Sequence, residues 1–163
     1  MPASTEELRS LDRAPAVELE LRNQLGQAIK LGDFHDRVAV VFFYPKDDTP
    51  GCTTEGKEFR ELYDQFAALD CAVIGVSVDS AESHRAFAEK HGLQFHLLAD
   101  VEGKLAYAFG VLRDDGMADR ATFVIGREGI IRRTFRGVNP RGHARQVLNF
   151  VRSLQQSHMM LGG

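Results

Sequence analysis

Cysteine is scarce in this sequence, with only Cys52 and Cys71 among 163 residues. Two thiols cannot build a disulfide scaffold, and these form neither a CxxC pair nor a zinc-ligand spacing, which fits a reducing compartment. No stretch approaches the roughly 20 apolar residues of a membrane span, and the N-terminus, MPASTEELRSLDRAP, lacks the ~7–15 residue apolar stretch of a secretory signal. The expectation is a soluble, cytoplasmic protein without a membrane partner. Internal repeats, low-complexity tracts and Pro/Gly/Ser-rich linkers are also missing. With 44% hydrophobic residues, the chain therefore predicts one core and one domain. The expected boundaries are an N-terminal extension over residues 1–14, the domain over 15–156, and a flexible tail over 157–163. The ends are expected to be loosely held, with Ser4 and Glu7 able to cap one extra helical turn. No GxSxG occurs, and Asp47-Asp48 reads as a polar loop rather than a catalytic carboxylate pair. The six histidines (His35, His84, His91, His96, His143, His158) are scattered over loops and helix ends with no HxxxH or HExxH spacing, so no metal and no cofactor are expected.

The net charge of −3 hides an asymmetry: residues 1–100 carry 10 Lys/Arg against 18 Asp/Glu, and residues 101–163 carry 10 against 5. A basic half can serve nucleic acid. Here Arg132, Arg133, Arg136, Arg141, Arg145 and Arg152 lack the aromatic interleaving of single-strand binders, and a solvated basic face is expected instead.

What the chain does have is α/β patterning, with short apolar runs alternating with helical stripes. Val38-Ala39-Val40-Val41-Phe42-Phe43-Tyr44 is β-branched, aromatic and free of charge, as in a central strand buried on both faces, and Pro45 ends it. Thr49-Pro50-Gly51-Cys52 then reads as the N-cap and first turn of a helix whose apolar stripe is Phe59, Leu62, Tyr63, Phe66 and Leu69. A second buried strand over 72–78, a helix over 81–91 stopped by Gly92, a short strand over 95–98 and a short helix over 102–109 follow. Residues 121–125 and 130–135 flank Arg127-Glu128-Gly129 as a hairpin, and an amphipathic helix over 140–154 buries Val147, Leu148 and Val151. Parallel central strands with a terminal hairpin describe a mixed sheet flanked by helices on both sides. Polar chemistry belongs at the carboxyl ends of such strands, where Pro45 to Cys52 lies.

That loop carries two incompatible motifs. Gly51-Cys-Thr-Thr-Glu-Gly56-Lys57 is GxxxxGK between a strand and a helix, and VSVD79 and LLAD100 resemble magnesium-holding runs, which would make a P-loop nucleotide binder. The chemistry opposes it. Glu58 replaces the hydroxyl that should meet magnesium, and Glu55 adds a second carboxylate facing the phosphates, each close like-charge pair costing on the order of several kcal/mol. The other motif centres on Cys52. A thiol in the first turn of a helix meets unpaired N–H groups and the positive end of the macrodipole, which favour a thiolate. Cys71, between Asp70 and a strand, reads instead as a buried, inert cysteine.

Pro45-Lys46-Asp47-Asp48-Thr49-Pro50-Gly51-Cys52 contains Pro-x-x-x-Thr-x-x-Cys and resembles the active-site segment of the peroxiredoxins, most closely the peroxiredoxin Q or bacterioferritin comigratory protein subfamily. The similarity runs over nearly the whole chain after about residue 14, through Ile74-Gly75-Val76-Ser77-Val78-Asp79, Phe87-Ala88-Glu89-Lys90, Leu97-Leu98-Ala99-Asp100 and Arg120-Ala121-Thr122-Phe123-Val124-Ile125. The resemblance implies a thioredoxin-like fold and a thiol peroxidase acting on hydrogen peroxide and organic hydroperoxides. Cys52 would be the peroxidatic nucleophile. Thr49 and Arg120 would hydrogen-bond the thiolate and peroxide oxygens, Pro45 would cover the sulfur, and Glu55 would support the arginine. Without the loop, Arg120 would read simply as an exposed arginine opening a strand.

Thiolate formation alone does not make a fast peroxidase. For any thiol, lowering the pKa from about 8.5 to about 6 raises the thiolate fraction at pH 7 about thirtyfold, while a Brønsted slope of ~0.4–0.5 cuts intrinsic nucleophilicity about tenfold. The remaining acceleration has to come from donors that position the peroxide and stabilise the leaving oxygen.

Many members of the subfamily place a resolving cysteine five residues after the peroxidatic one, and here that position is Lys57. Cys71 cannot easily replace it: a helix continuing from Cys52 to about Ala68 would carry the chain about 24 Å away, against the ~7 Å between Cα atoms that a disulfide tolerates. A one-cysteine mechanism is expected, with thioredoxin, glutaredoxin or a small thiol as reductant, in a monomer or homodimer. The non-enzymatic alternative is a thioredoxin-like interaction module whose Cys52 ignores peroxide.

Overall fold

The computed structural model describes residues 11–160 of the chain. Seven strands form one mixed sheet: β1 (Leu21–Arg22), β2 (Ala28–Ile29), β3 (Val38–Phe43), β4 (Cys71–Ser77), β5 (His96–Ala99), β6 (Ala121–Ile125) and β7 (Ile131–Phe135). The helices are α1 (Pro50–Ala68), α2 (Ala81–His91), α3 (Lys104–Ala108) and α4 (His143–Met160). Spatial order across the sheet is β2-β1-β5-β4-β3-β6-β7. The strands β3, β4 and β5 are parallel, whereas β6 pairs antiparallel with β3 on one side and with β7 on the other.

The β3 run is buried at all six positions, and its alternation assigns each residue to one of two cores. Val38, Val40 and Phe42 face α1, α2 and α4, while Ala39, Val41 and Phe43 pack with Leu105 and Ala106 of α3 and with the segment ahead of β1. The helix α1 is held through Phe59, Leu62 and Phe66, with the Phe59 ring stacked on Phe42 at 4.5 Å between centroids. Burying three such side chains contributes roughly 5–9 kcal/mol before entropy is counted. That anchors the middle of the helix and leaves its first turn to be held by other contacts. At α2, the Ser80 hydroxyl accepts from the Ser83 N–H, and Gly92 stops the helix in the left-handed region at φ 64°.

Four features differ from the sequence reading. The β1–β2 hairpin was not expected, because strands of two residues are too short to show alternation. The expected loose N-terminus is paired from Leu11 onward: the Leu11 N–H donates to Ile131 at 2.6 Å and the Ala14 N–H to Gly129 at 2.9 Å. At the other end α4 continues to Met160, into the expected tail, and residues 161–163 lie outside the described residues, as do Ser4 and Glu7. The basic face is not uniformly solvated either. Arg136 is half-buried with its guanidinium 5.6 Å from the centre of the Phe123 ring, whereas Arg133, 4.6 Å from the Phe135 ring, stays exposed with Arg132, Arg141 and Arg145. Among the described residues, no helix is long and apolar enough to cross a membrane.

Candidate active site

The P-loop geometry is absent, because Gly51 through Lys57 all lie inside α1 and form no phosphate-cradling loop. Gly56 is buried there, and a Cβ on it would make only ordinary contacts with Leu93 at 3.6 Å and Phe87 at 3.7 Å, so the position faces the core and not a phosphate.

The antiparallel register places Phe43 opposite Ala121, so β6 begins where β3 ends, and Arg120 arrives beside the loop that starts at Pro45. On α1, Cys52 and Glu55 are three residues apart and share a face. Arg120 spans both, donating from Nη2 to Cys52 Sγ at 3.4 Å and from Nη1 to Glu55 Oε1 at 2.8 Å. Gly51 leaves room for this approach: a Cβ there would lie 3.0 Å from Arg120 Nη2 and 3.4 Å from Pro140 Cγ, so the guanidinium would have to give by a few tenths of an ångström. Burial opposes the charge of Arg120. The neighbouring Cys52 sulfur and Glu55 carboxylate outweigh it and hold the guanidinium above its ordinary pKa. Glu55 is fully buried with Oε2 unpartnered, and desolvation pushes its carboxyl up to about 7 despite Arg120.

Thr49 is the N-cap residue and Pro50 follows at N1, as the sequence indicates, but the Thr49 hydroxyl makes no capping bond. Its proton goes to the Lys46 carbonyl at 2.8 Å, closing the turn, so the oxygen is left with lone pairs rather than a donor for the sulfur. Without a side-chain cap, the N–H groups of the first turn keep their positive character beside Cys52, which is itself only 2% exposed. Pro45, half-buried, leads out of β3 into this loop. Lys57 is exposed on α1. A depression of about 300 Å³ lined by Pro50, Gly51, Thr54, Asn139, Pro140 and Arg141 flanks the first turn of the helix. A second, of about 250 Å³ between Val38, Arg127 and Leu154, lies at the opposite end of the sheet.

Cys71 pairs in register with Val38, where the parallel strands begin, whereas Cys52 follows the end at which β3 finishes. Both thiols are free. Burial, with the Asp70 carboxylate beside it, pushes the Cys71 thiol up to about 12, which makes it unreactive near neutrality.

Sequence reasoning passed over two groups. Asp47, read as part of a polar loop, is 8% exposed, and its carboxylate accepts from Tyr44 Oη at 2.6 Å and from Ser83 Oγ at 2.8 Å. His84 and His143, read among scattered histidines, are buried; His84 lies 2.7 Å from Asp47, and burial lowers His143 to about 4. A polar pair at Ser83-His84, on the buried face of a helix otherwise marked by Phe87, was the available signal. Ligand atoms of Asp47, Asp79 and His84 lie within 4.8 Å of one another, close enough for a cation in principle. Both Asp47 oxygens and both His84 nitrogens already have protein partners, so the group reads as a closed network.

The sequence matches the AhpC/TSA family over residues 11–134. It is 42% identical to peroxiredoxin Bcp of Bacillus subtilis over 148 residues, covering 86% of this chain and 94% of that one. The chain belongs to the AhpC/TSA family. A chloroplastic peroxiredoxin Q of Sedum lineare is 36% identical over 138 residues, covering 83% and 74% of the two chains. Among solved structures, the bacterioferritin comigratory protein of Xanthomonas campestris, studied for alkyl peroxide reduction, superposes with a TM-score of 0.85 at 33% identity, covering 91% and 99%. A mutant of peroxiredoxin Q from Xylella fastidiosa superposes at 0.86 and 34% identity, covering 91% and 97%. The peroxiredoxin Q/Bcp resemblance and the thioredoxin-like fold expected from the sequence both stand.

Proposed function

We propose that Cys52 is the peroxidatic nucleophile of this peroxiredoxin, a thiol peroxidase that reduces hydrogen peroxide and organic hydroperoxides with electrons from an external thiol. The Cys52 thiolate attacks the nearer peroxide oxygen: an S–O bond forms, the O–O bond breaks, and sulfur loses two electrons to give a sulfenic acid. The departing alkoxide or hydroxide takes up a proton and leaves as alcohol or water. A reductant thiol then displaces water from the sulfenic acid to give a mixed disulfide, which a second thiol reduces. The reductant is thioredoxin, glutaredoxin or a small thiol, because Lys57 stands where a helical resolving thiol would be and Cys71 is at the far end of the sheet. A reducing compartment such as the cytoplasm supplies such thiols.

One observation carries this reading: the Arg120 Nη2 contact to Cys52 Sγ at 3.4 Å, bridging residues 68 positions apart. A donor so placed stabilises both the thiolate and the charge that develops on the leaving oxygen. Thr49, whose proton is held by Lys46, presents an oxygen that can accept from a hydroperoxide O–H and orient it. Glu55 fixes the guanidinium from behind, and Pro45 limits water at the sulfur. The depression beside Gly51 and Pro140 provides room for an alkyl substituent.

Stopped-flow oxidation of the reduced chain tests the assignment. Arg120→Ala and Thr49→Val should each slow Cys52 oxidation at least tenfold with unchanged circular dichroism, and Cys52→Ser should abolish it. A Cys52 inert to micromolar peroxide in the wild type would leave the inactive-module alternative standing.

A further inference from the structure

Asp47 lies two residues after Pro45, two before Thr49 and five before Cys52, and it is the most heavily bonded residue of the loop. Its Oδ1 accepts from Tyr44 Oη at 2.6 Å, and its Oδ2 faces Ser83 Oγ at 2.8 Å and His84 Nδ1 at 2.7 Å. Its backbone N–H donates to Asp79 Oδ2 at 2.8 Å, an oxygen that also accepts from Ser77 Oγ at 2.6 Å. His84 Nε2 lies 2.9 Å from the Leu98 carbonyl, so each ring nitrogen sits within hydrogen-bond distance of an oxygen, one from the loop and one from β5. Burial and the Asp47 carboxylate hold the Tyr44 phenol well above its ordinary range, which keeps it a donor as well. One loop residue is thereby joined to the ends of β3, β4 and β5 and to α2. The adjoining Asp48 is tied to the same helix by Lys90 Nζ at 2.8 Å and His91 Nε2 at 3.0 Å, but that pairing is exposed and therefore weak.

We propose that Asp47 and His84 are positioning residues for peroxide reduction: the buried carboxylate–imidazole contact fixes the loop that carries Pro45 and Thr49 against Cys52 and Arg120. Neither reaches the sulfur. Their effect passes through the loop backbone, where a displacement near 1 Å can cost up to about a hundredfold in rate. The inference rests on the peroxidase reading of Cys52.

Paired substitutions separate positioning from general stability. In His84→Asn the amide nitrogen stands near the place of Nδ1 and can still donate to Asp47; in His84→Gln it stands near Nε2 and serves Leu98 instead. Each variant keeps one of the two contacts and loses the other. Single-turnover oxidation by hydrogen peroxide should be within about threefold of wild type for His84→Asn and at least tenfold slower for His84→Gln, with the loss in the limiting rate rather than the peroxide concentration needed for half of it. Ser83→Ala, at a half-buried position, removes one donor to the same oxygen without opening the core, and should slow oxidation several-fold. Equal rates for the two His84 variants, rates that follow melting temperature across the set, or an unchanged rate in Ser83→Ala would overturn the proposal. If both His84 variants fail to fold, Ser83→Ala decides alone. A wild-type chain that does not react with peroxide removes the reading of Cys52 and this inference together, whereas a reactive wild type with indifferent variants removes only the inference.

Discussion

Glu55→Gln exposes the ionisation energetics of the site, because it keeps an oxygen for Arg120 Nη1 and removes only the titration. Glu55 titrates at about 7 in the fold and at 4.5 when free, so between those values the folded chain holds a proton that the unfolded chain has released. Its contribution to stability is complete below about pH 4.5 and is lost as the pH rises through about 7. A separation of roughly 2.5 pH units corresponds to about 3 kcal/mol. His143 has the opposite sign: burial lowers it from 6.5 to about 4, so its contribution is complete above 6.5 and is lost as the pH falls through 4. In the wild type the two slopes oppose each other between about pH 4.5 and 6.5, and stability should change little there on their account. Glu55→Gln leaves the His143 slope alone, so its stability should climb by about 2 kcal/mol over the same interval. At an m-value near 2 kcal/mol/M, that is about 1 M in the urea midpoint. Equilibrium urea unfolding of both reduced proteins at four pH values from 4.5 to 7.5 measures the difference. Midpoints that run parallel with pH in the two proteins would refute the assignment of the buried charge to Glu55.

Gly51→Ala replaces a helix-weakening residue, which alone favours the fold by up to about 1 kcal/mol. Its new Cβ would stand 3.0 Å from Arg120 Nη2 with Pro140 behind it, so the melting temperature should hold or rise while peroxide oxidation slows several-fold. An unchanged rate by stopped flow would show that the guanidinium has room to yield. Cys71, buried with its thiol at about 12, should resist alkylation in the folded chain, and Cys71→Ser should leave turnover with an external thiol unaltered. Non-reducing mass spectrometry after one equivalent of peroxide checks the same point, and an internal Cys52–Cys71 disulfide would contradict it.

The parts of this molecule that could be read from the chain are those written in local order. The charge-free run of β3, the Thr49-Pro50 helix start and the Gly92 stop each declare themselves within a few residues, and the structure puts all three where they were expected. The β1–β2 hairpin escaped because two-residue strands have no periodicity, and the pairing of residues 11–14 because its partners, Gly129 and Ile131, lie more than a hundred positions away. The site divides in the same manner. Cys52 and Thr49 were legible as a motif, and Arg120 only through resemblance, since its approach depends on β6 running antiparallel to β3 so that Ala121 meets Phe43. Asp47 was misjudged for a physical reason: a carboxylate in a loop is ordinarily solvated, and only the folded chain shows three donor groups from β3's end and α2 converging on it. Loop polarity in a sequence therefore reports where a charge can be tolerated, while the donors that make burial tolerable come from other elements. In this chain those donors sit on the first turn of α2 and immediately after β3, whereas the arginine that meets the sulfur stands just before β6. Cys52 reactivity should accordingly respond to changes on α2 that leave Arg120 and Glu55 untouched.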